Sequence, residues 1–341
     1  MQNQSRPAIF SIGHRDLWRP VEASIWTLDS GSLHEDPALS VLKTLLDQPR
    51  WLQPYHLYDE RGAKLFEKIC ELPEYYLTRT ESAILTENAA ELVRSAPVDC
   101  IVELGAGTSQ KTVYLLKEQV RQRQGGTFAP VDVSLPSLRV ARDTVKEYFP
   151  ELAFHGLHAT YQAGIASIEK SIRTLFVFLG STVGNFNHSE FVRFFEYLSE
   201  SMGPHDYFVI GADRVKDSKI LEQAYNDSQG ITADFILNVF QNINRLLGSN
   251  FDRSKMRYHS WYNPEWQQIE MYAISADTQK IEIPLLRTSF IWEKGDRILV
   301  ETSRKFEPER LQNQLRCFGL IPMAHFTDPK KWFSLLLFCK S

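Results

Sequence analysis

Between residues 98 and 212, short apolar runs alternate with longer stretches in which apolar residues recur at helical spacing. The apolar runs predict strands at 100–104, 127–132, 174–180 and 206–212. The stretches between them predict helices at 109–124, 135–148 and 189–202. Strands and helices that alternate in this way form a parallel sheet with right-handed crossovers. This part of the chain is therefore predicted to be an α/β domain, and the fully apolar run from Leu175 to Leu179 fits a strand covered on both faces.

The segments on either side of this region follow other patterns. Helical spacing predicts further helices at 61–71, 80–94, within 215–250 and at 307–318. Period-two alternation predicts half-buried antiparallel strands at 268–274, 280–283 and 297–303. A final apolar run at 332–339 would return the chain to the main sheet.

These patterns predict two domains. We assign residues 80–215 and 306–341 to the domain that contains the parallel sheet. We assign residues 20–79 and 216–305 to a second, α+β domain, and residues 1–19 to an N-terminal extension.

Composition and charge exclude several classes of partner. The chain is 43% hydrophobic and 23% charged, with a net charge of −4, so we expect no nucleic-acid partner. No stretch of 18 apolar residues and no export signal is present, so we expect no membrane partner. The four cysteines are far apart and form no CxxC pair or metal-spaced cluster, which predicts no metal and reduced thiols in a cytoplasmic protein.

A glycine turn is the first chemical signal in the sequence. The segment from Ile101 to Lys111 reads as a strand, then a turn with Gly105 and Gly107, then the start of a helix. Such a turn brings backbone N–H groups and a positive helix end to a nucleotide-like ligand, and Asp132 at the end of the next strand would suit a ribose hydroxyl pair. The ExGxG spacing differs from the GxGxxG of dinucleotide binders and instead suits S-adenosylmethionine (SAM).

Two further loops lie at predicted strand ends, where ligands bind in open α/β sheets. Gly180–Asn185 offers polar groups at Ser181, Thr182 and Asn185, although an ordinary glycine turn is the alternative interpretation. Asp213 follows the strand at 206–212, and it could equally be a helix N-cap. Methyl transfer from a sulfonium is an in-line displacement, so it calls for such orienting groups rather than for a nucleophile and base.

Farther along the chain, Glu301 and Ser303 lie two residues apart on a predicted strand and therefore share one face. The tyrosines Tyr58, Tyr75 and Tyr225 are scattered, and each one taken alone is better explained as a core or surface residue.

Six sequence blocks carry a resemblance to a known family. They are Tyr58–Gly62, Leu72–Glu81, Val102–Ser109, Phe178–Asn185, Ile269–Met271 and Glu301–Phe306. In this order, from about residue 55 to the C-terminus, the chain resembles the SAM-dependent L-histidine Nα-methyltransferases of ergothioneine biosynthesis. One glycine loop is weak evidence, whereas six blocks in order are specific.

The resemblance implies a Rossmann-like SAM-dependent methyltransferase sheet with a second, α+β substrate-binding domain. It implies three methylations of the histidine α-amino group, which give hercynine and S-adenosylhomocysteine. The SAM side would consist of Gly105, Gly107, Lys111, Asp132, Thr160 and Tyr161. The residues that bind the substrate would be Tyr58, Phe66, Tyr75, Gly180, Thr182, Asn185, Tyr225, Met271, Glu301 and Ser303. Of these, Tyr58 and Asn185 would orient the reacting amine and are the predicted catalytic residues.

The chain departs from the family pattern at one place. Many bacterial members have Gly-Asp-Phe where this chain has Ala159-Thr160-Tyr161, which is closer to fungal relatives that include enzymes for prenylated tryptophan. We expect Thr160 or a backbone group to replace the aspartate contact to the adenine amine. The carboxylate at Glu301 favours histidine, because an imidazole can bond a carboxylate and a hydroxyl at once.

We therefore predict a monomeric histidine Nα-methyltransferase. The nearest alternative is an Nα-methyltransferase for another free amino acid, such as a tryptophan derivative. A non-catalytic SAM- or amino-acid-binding regulator is a third possibility, and a protein or nucleic-acid methyltransferase is disfavoured by the acidic balance and by a pocket for a free α-carboxylate.

Overall fold

The computed structural model describes residues 8–10, 15–28 and 37–341. Residues 1–7 and 11–14 of the expected N-terminal extension lie outside the described residues. The chain divides into two compact units. The first unit comprises Arg79–Arg214, Phe306–Ser341 and the described part of residues 1–34, and the second comprises Val215–Lys305 and the described part of 35–78.

The strands of the first unit are β1 (Trp18–Glu22), β2 (Ile25–Leu28), β3 (Cys100–Leu104), β4 (Gly126–Asp132), β5 (Leu152–Phe154), β6 (Gly156–His158), β7 (Thr174–Phe178), β8 (Tyr207–Asp213), β14 (Leu320–Thr327) and β15 (Phe333–Lys340). Its helices are α4 (Val113–Arg123), α5 (Leu135–Tyr148), α6 (Tyr161–Ala166), α7 (His188–Ser201) and α10 (Pro308–Arg316), and most of α3 (Tyr76–Ser95) belongs to it.

One ten-stranded sheet organises the first unit. Its strand order is β1-β2-β6-β4-β3-β7-β8-β15-β14, with β5 paired to β4. The strands from β2 to β8 pair in parallel, while β1, β14 and β15 pair antiparallel to their neighbours. The central strands β3 and β7 are buried along their whole length, as expected for parallel strands that are covered on both faces. The predicted Rossmann-like α/β fold is confirmed, including the return of the C-terminal strand to the main sheet.

The second unit is of the α+β type. Its strands are β9 (Met256–Asn263), β10 (Gln268–Ser275), β11 (Gln279–Ile283), β12 (Thr288–Trp292) and β13 (Arg297–Arg304). Its helices are α1 (Pro37–Leu46), α2 (Glu60–Glu71), α8 (Ser218–Tyr225) and α9 (Ile231–Leu247). The strands form a three-stranded antiparallel sheet in the order β13-β10-β9 and a β11–β12 hairpin. The buried face of α9 packs against α2 and against the sheet.

The structure differs from the sequence expectation at several elements. We expected residues 20–79 in the second domain, whereas β1 and β2 extend the main sheet through the β2–β6 pairing. Strand β14 escaped prediction because Pro322 interrupts its pattern; the proline is tolerated since β14 is an edge strand and its register shifts between Pro322 and Ala324. Helix α3 begins at Tyr76 rather than Thr80, and buried Tyr76 and Leu77 lie in its first turn.

Candidate active site

The glycine turn follows β3 directly. Gly105 and Gly107 have φ angles of +68° and +51°, a left-handed conformation that favours glycine. The Gly105 N–H donates to the Val131 carbonyl over 2.9 Å, which folds the turn back onto β4. A Cβ atom at Gly107 would meet nothing within 4 Å, so the turn leaves open space on that side.

Asp132 ends β4 beside this turn. Its Oδ2 accepts the Gly107 N–H and its Oδ1 accepts the Ser134 N–H, each over 2.7 Å. Burial raises the pKa of Asp132, although the two N–H donors oppose that rise. The carboxylate is therefore fixed in orientation, and each of its oxygens keeps a lone pair for a further donor.

Glu103, the acid of the ExGxG pattern, is buried on β3. Burial raises its pKa to about 7, although the Thr112 hydroxyl, which donates to Oε1, opposes that rise. Its Oε2 has no hydrogen-bonding partner among the described residues. A buried acceptor without a partner at the base of a ligand-binding turn can be satisfied by a donor on the ligand.

Glu81 links the glycine turn to the loop after β7. Its carboxylate is fully buried and pairs with the Lys111 ammonium. Both of its oxygens accept the Gly180 N–H, at 2.9 Å. The sequence pattern does not single out Glu81 as a site residue, although it closes the block Leu72–Glu81. Lys111 and Gly180 are thus positioned by one buried carboxylate on α3.

The loop after β7 contains the other predicted residues of the first unit. Gly180 has a φ of +77°, and Thr182–Asn185 form a short 3-10 helix. The Thr182 hydroxyl donates to the Leu179 carbonyl over 2.8 Å, so its oxygen is left as an acceptor. Asp213, for which a helix N-cap was the alternative interpretation, is instead the last residue of β8 and is fully buried. Its backbone N–H donates to Ser181 Oγ.

Thr160 and Tyr161 begin α6. The Thr160 Oγ1 accepts the Ala163 N–H over 3.4 Å and caps the helix. The Tyr161 hydroxyl lies beside the glycine turn, since a Cβ atom at Gly105 would stand 2.9 Å from it. The Tyr161 ring packs edge-on against Phe178. Tyr161 is therefore placed beside the turn, while a direct ligand contact by Thr160 stays a prediction.

The second unit brings the predicted aromatic residues together. Ring centroids are 5.6 Å apart for Tyr58 and Phe66, 6.4 Å for Phe66 and Tyr75, and 5.8 Å for Tyr75 and Tyr225. Phe235 on α9, which the sequence pattern does not single out, contacts the first two rings. Gly62 allows α2 to begin close to the preceding chain, because a Cβ atom there would lie 1.7 Å from the Leu57 carbonyl oxygen. The rings of Tyr58, Phe66, Tyr75 and Tyr225 therefore form a continuous edge-to-face series.

The predicted side-chain-binding residues lie on neighbouring strands. Met271 on β10 stands directly opposite Glu301 on β13, and Ile269 stands opposite Ser303. Glu301 and Ser303 are both buried, and Thr302 between them points the other way. The Ser303 hydroxyl lies 2.8 Å from the Tyr225 hydroxyl, which connects the strand to the aromatic series.

The predicted site residues thus fall into two groups, one in each unit. The group in the first unit is Gly105, Gly107, Lys111, Asp132, Thr160, Tyr161, Gly180, Thr182 and Asn185. The group in the second unit is Tyr58, Phe66, Tyr75, Tyr225, Met271, Glu301 and Ser303. Within the described residues, no helix is long and apolar enough to cross a membrane. No cluster of His, Cys, Asp or Glu in that part of the chain has the composition of a metal site.

The sequence matches one protein family and several named proteins over most of its length. Residues 37–340 match the family described as "Histidine-specific methyltransferase, SAM-dependent". The chain is 35% identical to the histidine N-alpha-methyltransferase of Mycolicibacterium smegmatis over 85% of its own length and 90% of that protein. It is 33% identical to the protein of the same name from Mycobacterium tuberculosis, over 88% of this chain and 94% of that one. It is also 31% identical to Ergothioneine biosynthesis protein 1 of Neurospora crassa, over 86% of this chain and 34% of that longer protein.

Proposed function

The chain belongs to the family of SAM-dependent, histidine-specific methyltransferases, and we propose that it converts free L-histidine to hercynine by three Nα-methylations. The names of the mycobacterial relatives support histidine as the substrate, and the name of the Neurospora relative supports a role in ergothioneine biosynthesis, where we propose that this reaction is the first step. The observation that carries the choice of substrate is the pair of buried polar side chains on β13. Glu301 and Ser303 share one face of that strand and stand beside Met271.

The first unit has the groups that SAM requires. The open glycine turn accommodates a ligand close to the backbone, Asp132 offers acceptors for ribose hydroxyls, and the partnerless Glu103 Oε2 offers an acceptor for a cationic amine. Lys111 contributes positive charge, held in place by Glu81. When bound, SAM supplies a methyl group on a sulfonium, which an amine nitrogen attacks in line. The polar groups of Gly180, Thr182 and Asn185 would orient the α-amine and α-carboxylate of the substrate.

The second unit has the groups that recognise an imidazole. A carboxylate and a hydroxyl on one strand face can each bond one of the two ring nitrogens. Glu301 is buried, so a substrate ring N–H that donates to it favours an imidazole over side chains that have no ring donor. Loss of such a bond to a charged group costs about 1.5–3 kcal/mol.

The tyrosines have an orienting role. A free tyrosine has a pKa of about 10, which makes it a poor base at neutral pH. Burial raises the pKa of Tyr75 further. We therefore assign amine deprotonation to solvent, with Tyr58 orienting the nitrogen. Aromatic faces near the product would stabilise its quaternary ammonium by about 0.5–2 kcal/mol.

We further propose a cytosolic location. All four cysteines are free thiols, as expected in a reducing compartment. Cell fractionation with an antibody to the chain would test this; recovery from an exported fraction would contradict it.

Mass spectrometry of products from SAM and free histidine tests the function. We expect species with one, two and three added methyl groups, and none with tryptophan. Methylation of tryptophan but not of histidine would refute the proposal in favour of the alternative amino-acid substrate. Binding of histidine and SAM without any turnover would instead identify a regulator.

A matched pair of variants tests the substrate assignment. Glu301→Gln should raise the KM for histidine by about 10- to 100-fold, because a charge-assisted hydrogen bond is lost. Glu270→Gln is the control, since Glu270 is a buried carboxylate of the same sheet whose oxygens accept from Asn263, Gln268 and Tyr272. Equal effects of the two substitutions on KM would refute the role of Glu301.

A further inference from the structure

One face of α9 holds the short segment of chain that carries Tyr58. Tyr58 lies between a 3-10 helix, Pro54–Leu57, and the start of α2. Helix α9 packs against both of these elements. On α9, Phe235, Asn238 and Asn242 are spaced by three and four residues and therefore share one face of the helix. Each of these side chains contacts Tyr58 or a residue close to it in the chain.

Asn238 holds the chain that follows Tyr58. Asp59 is the N-cap of α2, and its Oδ1 accepts the Gly62 N–H over 2.8 Å. The same oxygen accepts Asn238 Nδ2 over 2.7 Å, while Oδ2 accepts Arg245 Nη2 over 3.1 Å. Asn238 is only 3% exposed, so water does not replace it easily. The carboxylate next to Tyr58 is therefore fixed to α9 through both of its oxygens.

Asn242 holds the chain that precedes Tyr58. Its Nδ2 donates to the His56 carbonyl oxygen over 2.8 Å, and its Oδ1 accepts Arg245 Nη2 over 2.7 Å. A guanidinium only donates, so the amide oxygen must face Arg245 and the amide NH₂ must face the His56 carbonyl. The backbone on both sides of Tyr58 is thus tied to the same face of α9.

Phe235 holds the ring of Tyr58. Its ring centroid lies 5.5 Å from that of Tyr58 and 5.7 Å from that of Phe66. The rings of Tyr58 and Phe66 are 5.6 Å apart, so the three rings form a closed set. Helix α9 therefore determines both the backbone and the ring position of Tyr58.

We propose that Asn238 and Asn242 are positioning residues for the methyl transfer, which fix Tyr58 in the orientation that directs the substrate amine toward the methyl group. This inference rests on the proposed function, because the orienting role of Tyr58 belongs to it. The two asparagines act through Asp59 and His56 and need not touch the substrate. An in-line displacement depends steeply on alignment, and a misplacement of about 1 Å can cost about 100-fold in rate.

Replacement of each asparagine with leucine, which has a similar volume, tests the proposal. Asn238→Leu and Asn242→Leu should each lower the kcat of histidine methylation by about 10- to 100-fold. The KM for histidine should change by less than about threefold, because other residues bind its imidazole and α-carboxylate. Affinity for S-adenosylhomocysteine, measured by calorimetry, should stay as in the wild type.

Asn244→Leu is the matched control on the same helix. Asn244 Nδ2 also donates to a backbone carbonyl over 2.8 Å, but the acceptor is Phe251 rather than a neighbour of Tyr58. This variant should lose stability in urea unfolding and keep its kcat. An equal loss of kcat in Asn244→Leu and in Asn242→Leu would show that only the stability of α9 matters, and would overturn the proposal.

A double-mutant cycle tests whether Asn238 acts through Tyr58. Tyr58→Phe removes the hydroxyl that is being positioned. Adding Asn238→Leu to Tyr58→Phe should therefore lower kcat further by no more than about twofold. If neither leucine variant folds, Arg245→Met replaces them in the cycle, because Arg245 bonds both Asp59 and Asn242 and its side chain is 64% exposed.

The outcomes are distinguishable. Effects on kcat that multiply in the cycle, or a Tyr58→Phe protein with the kcat of the wild type, overturn the inference and leave histidine methylation intact. A wild-type kcat in the folded variants at Asn238 and Asn242 overturns it as well. If the wild type does not methylate histidine at all, the proposed function fails and this inference fails with it.

Discussion

Gly211 on β8 lies against the carboxylate of Glu81. Its replacement with alanine tests whether Glu81 positions Lys111 and Gly180 in the first unit. A Cβ atom at this position would stand 1.9 Å from Glu81 Oε1. The carboxylate would have to withdraw by more than about 1 Å to reach van der Waals distance. That movement breaks its short contacts with the Lys111 ammonium and the Gly180 N–H.

The magnitude follows from these contacts. Overpacking a well-filled site costs about 1–3 kcal/mol. The φ of Gly211 is not in the left-handed region, so alanine brings no backbone strain and would by itself stabilise by about 0.4–1 kcal/mol. After this gain is subtracted, we expect Gly211→Ala to destabilise the protein by roughly 0.5–2.5 kcal/mol in urea unfolding. Affinity for S-adenosylhomocysteine, measured by calorimetry, should fall by about 10-fold as Lys111 and Gly180 lose their anchor.

A double-mutant cycle tests the cause. Glu81→Asp shortens the side chain by one C–C bond, about 1.5 Å, and so relieves the clash with an added methyl group. The double variant Gly211→Ala/Glu81→Asp should therefore be more stable than the sum of the single effects predicts, by at least about 1 kcal/mol. Strict additivity, or a Gly211→Ala protein that is as stable as the wild type and binds the cofactor product equally well, would refute the assignment of Glu81 as the anchor.

Three further predictions concern single positions. Burial raises the folded-state pKa of Glu103 to about 7, above its unfolded value, so its contribution to stability is present below pH 4.5 and is lost as pH rises through 7. Glu103→Gln should thus gain stability relative to the wild type as the pH rises between these two pKa values, by about 1.4 kcal/mol for each pH step of one; a constant difference in urea titrations would contradict this. Asp132→Asn replaces one of the two accepting oxygens with an NH₂ group, which would face a backbone N–H that now donates to Asp132. The binding of S-adenosylhomocysteine, measured by calorimetry, should therefore weaken about 10- to 100-fold. Gly62→Ala forces a methyl group against the Leu57 carbonyl and should destabilise the protein by roughly 1–3 kcal/mol; an unchanged unfolding midpoint would show that the start of α2 can move.

The sequence determined the sheet of the first unit because its strands are buried on both faces. Apolar runs such as Leu175–Leu179 leave little choice of structure, and the helix at Leu135–Tyr148 has clear periodicity and a Ser134 cap. The strands β5 and β6 are only three residues long, too short for a period to show. Strand β14 was hidden by Pro322, whose meaning depends on whether a strand lies at the edge of a sheet.

In the candidate site as well, the sequence identified some residues and only the tertiary structure identified others. The glycine turn and Asp132 are local signals, because backbone conformation and strand ends are written over a few residues. Glu301 and Ser303 could be placed on one face from the two-residue period alone. The roles of Glu81 and Lys305 could not be predicted in this way. Glu81 contacts Lys111 and Gly180, which lie 30 and 99 positions away, and Lys305 contacts Tyr225, which lies 80 positions away. From sequence alone, a charged residue is expected to be exposed to solvent. Only the tertiary structure showed that Glu81 and Lys305 are buried and which partners stabilise them.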